Sequence, residues 1–169
     1  MRIFEHQGKD LYKKYGIPIP VGRLVNEKRE IKKIFPDIDR GNGVALKAQV
    51  LTGGRGKAQG IRFAETSTEC ESQYDELVSM NISGHPVRKI LLEERIKIQR
   101  EFYLGIIIDT EIGQPVMVIC SRGGVDVEEI SKTHPECLGK IAVDVAYGLL
   151  DYQVRGVLIR LGLSKELFP

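Results

Sequence analysis

The segment from Val44 to Gly60, VALKAQVLTGGRGKAQG, constrains the fold of this chain more than any other stretch. Its first residues are almost continuously apolar, which is typical of a buried β-strand. Lys47 interrupts that strand, and the sequence GGRGK follows soon after it. Glycines let backbone N–H groups approach phosphate oxygens, while Arg55 and Lys57 supply positive charge. This pattern predicts a site for the phosphates of a polyphosphate ligand.

The glycine-rich loop differs from the two standard phosphate-binding motifs. Neither GxxxxGK[ST] nor a GxGxxG between a strand and a helix is present. The residues that follow the loop, Ile61 to Phe63, have the composition of a second strand. The loop is therefore predicted to join two antiparallel strands and to fold over a nucleotide. A basic hairpin turn on a solvated surface fits the same residues, and this alternative stays open here.

The composition excludes several classes of partner. The chain has 169 residues, with 25 Lys+Arg and 23 Asp+Glu, so its net charge is only +2. The charges are mixed along the chain and Trp is absent, which argues against a nucleic-acid partner. The N-terminus has no apolar signal segment, and no run of about 18 apolar residues occurs. We therefore expect a cytoplasmic protein without a membrane segment.

The three cysteines, Cys70, Cys120 and Cys137, are odd in number and far apart. Their spacing fits neither a disulfide framework nor a zinc site. We expect reduced thiols, with Cys120 in the core.

Helical and strand patterns alternate along the chain, which predicts an α+β architecture with a mixed or antiparallel sheet. Helices are expected over residues 5–15, 26–35, 66–80 and 152–163, and strands over 22–25, 44–50, 61–63, 87–94, 101–109 and 114–121. The turn 110–113 makes the last two strands a hairpin. We expect two lobes with a cleft, and a hinge over residues 95–99.

Four segments occur together in the order and spacing of one family: IFEHQGKDLYKKYGIPIPVG, VALKAQVLTGGRGKAQG, the pair ILLEE and EFYLG, and GGVDVEEI. Over essentially its whole length the chain resembles the N-terminal ATP-grasp region of the succinate–CoA ligase (succinyl-CoA synthetase) β-subunit family. Malate–CoA ligase and part of ATP-citrate lyase are related to it. The resemblance implies an ATP-grasp fold with two small lobes around a nucleotide cleft. Residues 22–105 would form the first lobe, with the phosphate loop, and residues 1–21 plus 106–169 part of the second.

The resemblance implies roles for residues of the organising segment. Lys47 would contact the nucleotide phosphates from its strand. Gly54, Arg55 and Gly56 would form the loop over those phosphates.

Three further residues would bind the rest of the nucleotide. Glu93 and the backbone as far as Ile96 would form the hinge at the adenine edge, and Glu101 would accept the ribose hydroxyls. Alternatives remain open for both carboxylates. Glu101 would equally fit a solvated strand carboxylate, and Glu93 would equally fit an ion pair with Arg95.

Members of this family use ATP or GTP and Mg²⁺ to phosphorylate a histidine of the α subunit. The phosphohistidine then gives an acyl phosphate, which CoA attacks to form succinyl-CoA. This reaction belongs to the tricarboxylic acid cycle. The resemblance therefore implies an α-subunit partner that carries the histidine and the CoA site. None of His6, His85 and His134 matches that nucleophile. Two alternatives stay open: a non-catalytic nucleotide-binding or assembly fragment, and a ligase for malate, citrate or acetate.

The chain departs from the family pattern at three points. Arg122 stands where the family commonly has an acidic residue, and Gln59 replaces a frequent glycine. The sequence ends at Pro169, before the family's acidic metal ligands, so the ATP-grasp region is expected to be incomplete at its C-terminus. The acidic group Asp126, Glu128 and Glu129 is interpreted as a solvated turn and not as a substitute for those ligands.

Overall fold

The computed structural model describes residues 2–124 and 127–163, with only the backbone at 127–129. The chain divides into two compact units, Met1–Lys97 and Ile98–Pro169. Asp126 lies outside the described residues, as do the side chains of Glu128 and Glu129.

The first unit contains three α-helices and six strands. Its helices are α1 (Glu5–Lys14), α2 (Ile31–Ile38) and α3 (Ser67–Val78), and its strands are β1 (Gly22–Val25), β2 (Val44–Ala48), β3 (Ile61–Ala64), β4 (Asn81–Ile82), β5 (His85–Pro86) and β6 (Ile90–Glu94). A short 3₁₀ helix, Lys28–Glu30, precedes α2. The sheet is antiparallel in the order β1-β6-β2-β3, while β4 and β5 form a separate small hairpin.

The two faces of this sheet have different environments. Successive residues of a strand point to opposite faces. Val44, Leu46 and Leu92 pack with α2 and α3 in the main core of the unit. Lys47 and Glu93 therefore point to the opposite face of the sheet. The alternation along β2 and β6 thus separates an apolar face from a face that carries charge.

The second unit is a three-stranded antiparallel sheet with helices. Its strands are β7 (Tyr103–Asp109), β8 (Gln114–Cys120) and β9 (Leu138–Ala142) in the order β7-β8-β9, and its helices are α4 (Val127–Thr133) and α5 (Asp151–Arg160). Helix α5 packs through Val157 on Met117, Ile119 and Ile141. A Cβ on Gly139 would lie 2.2 Å from Val157 Cγ1, so the glycine permits this close approach.

The two compact units have different bounds from the predicted lobes, whose assignment stays a prediction. The boundary follows Lys97 instead of residue 105, and residues 1–21 belong to the first unit instead of the second. The physical reason is the polar contact of α1 with the first unit. His6 N donates to Gln49 Oε1 at 3.1 Å, and Arg55 Nη1 donates to Glu5 Oε2 at 2.6 Å.

The structure confirms the α+β class, the hairpin of β2 and β3, and the hairpin of β7 and β8. The helix expected from Asn26 to Phe35 is wrong in its bounds, since α2 begins at Ile31 and contains Pro36. The buried side chains of α2 hold the helix together past the proline: Ile31, Ile34, Phe35 and Ile38. The sequence interpretation missed α4 and β9.

The expectations for the cysteines agree with the structure, since all three are free and buried. Burial raises the pKa of the Cys70 thiol to about 12. The longest described helix, α3, has 12 residues. Within residues 2–124 and 127–163, no helix is both long enough and apolar enough to cross a membrane.

Leu46 provides a test of the core assignment. Its side chain is 0% exposed, whereas Leu104 on β7 is 65% exposed. We expect Leu46→Ala to lower the free energy of unfolding by about 3 kcal/mol, through lost burial and the cavity that remains. Leu104→Ala should cost less than about 1 kcal/mol. Denaturant titrations followed by circular dichroism measure both variants, and equal losses would contradict the assignment.

Candidate functional site

The centre of the charged face is an ion pair between neighbouring strands. Ala45 of β2 lies opposite Glu93 of β6, which makes Lys47 the diagonal neighbour of Glu93 on the same face. Long side chains reach each other across such a diagonal. Lys47 Nζ lies 2.5 Å from Glu93 Oε2. The register of the sheet therefore sets the position of the lysine ammonium group.

Glu93 is almost completely enclosed, with 1% of the residue exposed. A glycine on the neighbouring strand makes the room for its side chain. Gly22 of β1 lies opposite Glu93, and a Cβ on Gly22 would lie 2.7 Å from Glu93 Cγ. A buried carboxylate requires cationic partners. Besides Lys47, Lys9 of α1 contacts Glu93 Oε1.

Glu5 of α1 extends this ion pair into a network of five charged side chains. Its Oε1 lies 3.4 Å from Lys47 Nζ and 3.2 Å from Lys9 Nζ. Its Oε2 accepts a hydrogen bond from Arg55 Nη1 at 2.6 Å. Three cations and two carboxylates thus meet on one face, so one positive charge is in excess. The structure therefore brings the predicted phosphate-binding residues Lys47 and Arg55 together.

The pKa values of this network reflect opposing effects. Burial raises the pKa of Glu5, but the charges of Lys47, Arg55 and Lys9 outweigh burial and lower it from 4.5 to about 2. Burial lowers the pKa of Lys47, but the hydrogen bond with Glu93 and the charge of Glu5 outweigh it, so the net pKa is raised. Both groups are therefore charged at neutral pH.

The glycine-rich loop folds as a series of turns before β3. Ala58 N donates to Gly54 O at 3.0 Å, and Gly60 N donates to Arg55 O at 2.7 Å. Gly54 has a φ of +73°, a conformation that favours glycine. Arg55 Nη1 also donates to Ala48 O at 3.1 Å, which fixes the guanidinium beside the end of β2. A Cβ added to Gly54 or Gly56 would meet no described atom within 4 Å, so there is open space beside both glycines.

A cavity of about 730 Å³ lies between α1 and the start of this loop. Arg2, Glu5, Lys9 and Arg55 provide charged side chains in its wall. The wall also contains apolar side chains and loop residues: Ile3, Phe4, Gly8, Tyr12, Val50, Leu51, Thr52 and Gly53. Three members of the charged network, Glu5, Lys9 and Arg55, are therefore accessible to a ligand from this cavity.

The remaining predicted residues lie elsewhere. Ile96 is in the segment without regular structure after β6, and 53% of the residue is exposed. Glu101 lies in the second unit, just before β7. Gly123 N donates to Glu101 O at 2.9 Å, and a Cβ on Gly124 would lie 2.8 Å from Glu101 Oε2. The glycine pair therefore packs against the backbone and side chain of Glu101.

The ion pair of Glu93 differs from the alternative that the sequence left open. Arg95 lies instead 3.9 Å from Glu65 and stacks on Phe63, with its guanidinium carbon 4.9 Å from the ring centre. The carboxylate of Glu93 points to Lys47 and Lys9. Its role at the adenine edge stays a prediction.

Sequence reasoning missed three residues of the site: Glu5, Lys9 and the buried Gln49. The sequence interpretation considered only the helical spacing of Phe4, Gly8, Leu11 and Tyr15, although α1 has no buried residue. One available signal was the pair Glu5 and Lys9, which lie four residues apart and share a helix face. That signal is weak, because such pairs are common on solvated helices.

Comparison with known proteins places this chain in a family. The family model for the ATP-grasp domain matches residues 2–169. The chain belongs to the ATP-grasp family. This result confirms the fold class that the resemblance implied.

Two relatives are similar in sequence to nearly the whole of this chain. The succinate–CoA ligase [ADP-forming] subunit beta of Pyrobaculum arsenaticum is 41% identical over 166 residues, which are 98% of this chain and 43% of the relative. Subunit beta 1 of the same enzyme from Archaeoglobus fulgidus is 39% identical over 168 residues, 99% of this chain and 44% of the relative. The resemblance to this β-subunit family is thus confirmed. The chain spans less than half the length of these relatives.

A solved structure shows the same ATP-grasp fold. It is the dinucleotide-forming acetyl-coenzyme A synthetase 1 of Ca. Korarchaeum cryptofilum in complex with coenzyme A, Ca-AMPCP and HgCl⁺. The TM-score is 0.74 at 22% identity, with 93% of this chain and 65% of that chain covered. At this identity the likeness concerns the fold alone.

The charge network of the ATP-grasp chain predicts an acid-sensitive contribution to its stability. Because the pKa of Glu5 is lowered from 4.5 to about 2, the contribution is complete above pH 4.5 and is lost as the pH falls toward 2. Between pH 6 and 2 the unchanged chain should lose about 1–2 kcal/mol more unfolding free energy than Glu5→Gln, after discounting for solvent screening. The exposed Asp10→Asn serves as the control and should behave like the unchanged chain. Equal pH dependence in all three chains would contradict the role of Glu5.

Gln59, at the end of the glycine-rich loop, allows a test of backbone strain. Its φ is +55°, in the region that costs ordinary residues free energy. We expect Gln59→Gly to raise the free energy of unfolding by about 0.5–1 kcal/mol. Ala58→Gly, one residue earlier and without a positive φ, should lower it. Thermal unfolding of both variants measures the difference, and a loss of stability in Gln59→Gly would contradict the expectation.

Proposed function

We propose that this chain is the nucleotide-binding part of an acid–CoA ligase β subunit of the succinate type. In the complete reaction, succinate, CoA and ATP yield succinyl-CoA, ADP and phosphate through a phosphohistidine on the α subunit. This chain would bind and orient the nucleotide for the first phosphoryl transfer. The relatives' names support the choice of succinate and of an α partner, and the tricarboxylic acid cycle and a cytoplasmic location follow from the same proposal.

The observation that carries the proposal is the cationic pair of Lys47 and Arg55 beside the glycine-rich loop. A triphosphate has several negative charges, and phosphoryl transfer depends mainly on positioning and on charge neutralisation. Lys47 is fixed by Glu93, and Arg55 is fixed by Ala48 O. The pair is thus preorganised, and the cavity at α1 offers room for phosphates.

The base and the sugar would bind outside this charged face. The backbone near Ile96 is free of regular secondary structure, so its N–H and C=O groups suit the edge of the adenine ring. The carboxylate of Glu101 would accept hydrogen bonds from the two ribose hydroxyls. Gly123 and Gly124 would hold Glu101 in place. These groups do not distinguish ATP from GTP, and the [ADP-forming] relatives support ATP.

Mg²⁺ would enter this site together with the nucleotide. Within the described part of the chain, no group of three or more His, Cys, Asp or Glu side chains is arranged to hold a metal ion. The residues present therefore fit the phosphates and not a separate metal centre. When bound, Mg²⁺ supplies charge neutralisation at the phosphate oxygens. The chain's own contribution is the position of Lys47 and Arg55.

A second candidate function is nucleotide binding without phosphoryl transfer, retained for assembly with a partner. The observation that favours it is the same lack of a metal-ligand cluster among the described residues. Incubation of the chain with ATP, Mg²⁺ and the α subunit of a relative distinguishes the two functions. Phosphorylation of the α-subunit histidine supports the ligase role. Binding of nucleotide without phosphorylation supports the second candidate.

The choice of acid is tested separately. Formation of a thioester between CoA and malate, citrate or acetate would change the substrate assignment.

Lys47 provides the direct test of nucleotide binding. Calorimetric titration with ATP and with ADP, with and without Mg²⁺, should show saturable binding to the unchanged chain. Lys47→Ala should weaken that binding at least about tenfold, because a charge-assisted phosphate contact is lost. Lys9 still compensates Glu93 in this variant. We therefore expect the variant to fold, which circular dichroism checks.

The matched control is Lys33→Ala, which removes an exposed lysine from α2. It should bind ATP like the unchanged chain. Binding that is equally strong in all three chains would place the nucleotide elsewhere. No binding by the unchanged chain would overturn the proposal for this chain.

A further inference from the structure

Glu5 contacts both cations of the nucleotide site. Resting on the function proposed above, we propose that the Glu5 carboxylate occupies the position of a phosphate group between Lys47 and Arg55. A polyphosphate would have to displace it in order to bind. Glu5 is then an internal competitor that sets the affinity of the site and favours ligands with several negative charges.

The geometry of Glu5 supports this role. Its Oε2 lies 2.6 Å from Arg55 Nη1, and its Oε1 lies 3.4 Å from Lys47 Nζ. Two oxygens of one anionic group therefore bridge the two cations. The non-bridging oxygens of a phosphate group bridge a lysine and an arginine in the same way. Arg55 Nη1 has two hydrogens, which Glu5 Oε2 and Ala48 O accept, so a phosphate oxygen that accepts from this nitrogen would replace Glu5 Oε2.

Of the two carboxylates in the network, Glu5 can move away with the smaller loss of stabilising contacts. Lys47 retains Glu93 at 2.5 Å, and Arg55 retains Ala48 O at 3.1 Å. Glu93 is enclosed in the sheet, whereas Glu5 belongs to α1, which has no buried residue. A shift of Glu5 would therefore break polar contacts that a ligand replaces, without opening the core.

The space beside Glu5 is suitable for a polyanion. The cavity of about 730 Å³ is lined by Glu5 and Arg55, with Arg2 and the loop residues Thr52 and Gly53 nearby. Arg2 adds a further positive charge to its wall. A phosphate chain that replaces Glu5 would thus extend into a space that contains cations and loop backbone.

Titration with inorganic tripolyphosphate tests the competition without a base or a ribose. Glu5→Gln should bind tripolyphosphate roughly tenfold more tightly than the unchanged chain, because it removes one like charge from a partly buried site. Asp10→Asn removes the same charge from an exposed position of α1 and should bind like the unchanged chain. In the Arg55→Gln background, Glu5→Gln should produce a smaller gain. A purely structural role of Glu5 would instead leave the affinity equal or lower it.

A second measurement needs no substitution. The ¹³C resonance of the Glu5 side-chain carboxyl should shift when the unchanged chain is saturated with tripolyphosphate, because the carboxylate leaves its two cations. An unchanged resonance at saturation would overturn the inference.

The outcomes separate this inference from the proposed function. If ATP binding depends on Lys47 but Glu5→Gln gains no affinity for tripolyphosphate, only the competition by Glu5 is overturned. Tripolyphosphate binding that is detected only in Glu5→Gln supports the competition. If no chain binds ATP or tripolyphosphate, the proposed function and this inference are both overturned.

Discussion

The structure of the site depends on the buried ion pair between Lys47 and Glu93. A carboxylate that is 1% exposed has a large desolvation cost unless cations compensate it. Gly22 makes room for Glu93, the strand register places Lys47 on the diagonal, and Lys9 adds a second cation. The strand pairing that forms the sheet of the first unit therefore also sets the positions of the charges on its charged face.

The excess of positive charge on this face supports the proposal that it binds a polyanion. The lysines and Arg55 are held close together only because Glu5 and Glu93 reduce their repulsion. Glu93 is enclosed and is a permanent part of the sheet. Glu5 lies on a helix that contacts the unit through polar groups. The contacts within the network therefore hold the cations in place, and one positive charge remains uncompensated.

The sequence predicted the parts of the site that depend on local pattern. The β2–loop–β3 hairpin followed from its apolar run and its glycines, and Lys47 from its place in that run. Glu5 could not be found in this way, because its contact with Lys47 spans 42 residues and has no apolar partner to mark it. Pro36 misplaced the end of α2, since the buried isoleucines of that helix outweigh the proline. Local signals identified strands and loops, but not the long-range packing of α1.

The pairing of β2 with β6 has a consequence for errors in folding. In the native register Leu46 lies opposite Leu92, and Lys47 lies opposite Leu91. A slip of one residue along β2 would turn Lys47 toward the apolar side of the sheet and Leu46 toward the charged face. The lysine would then be an unpaired charge among hydrocarbon side chains. The ammonium group that is proposed to bind phosphate would thus also disfavour misaligned strands, because a misaligned chain would have to bury its charge without a partner.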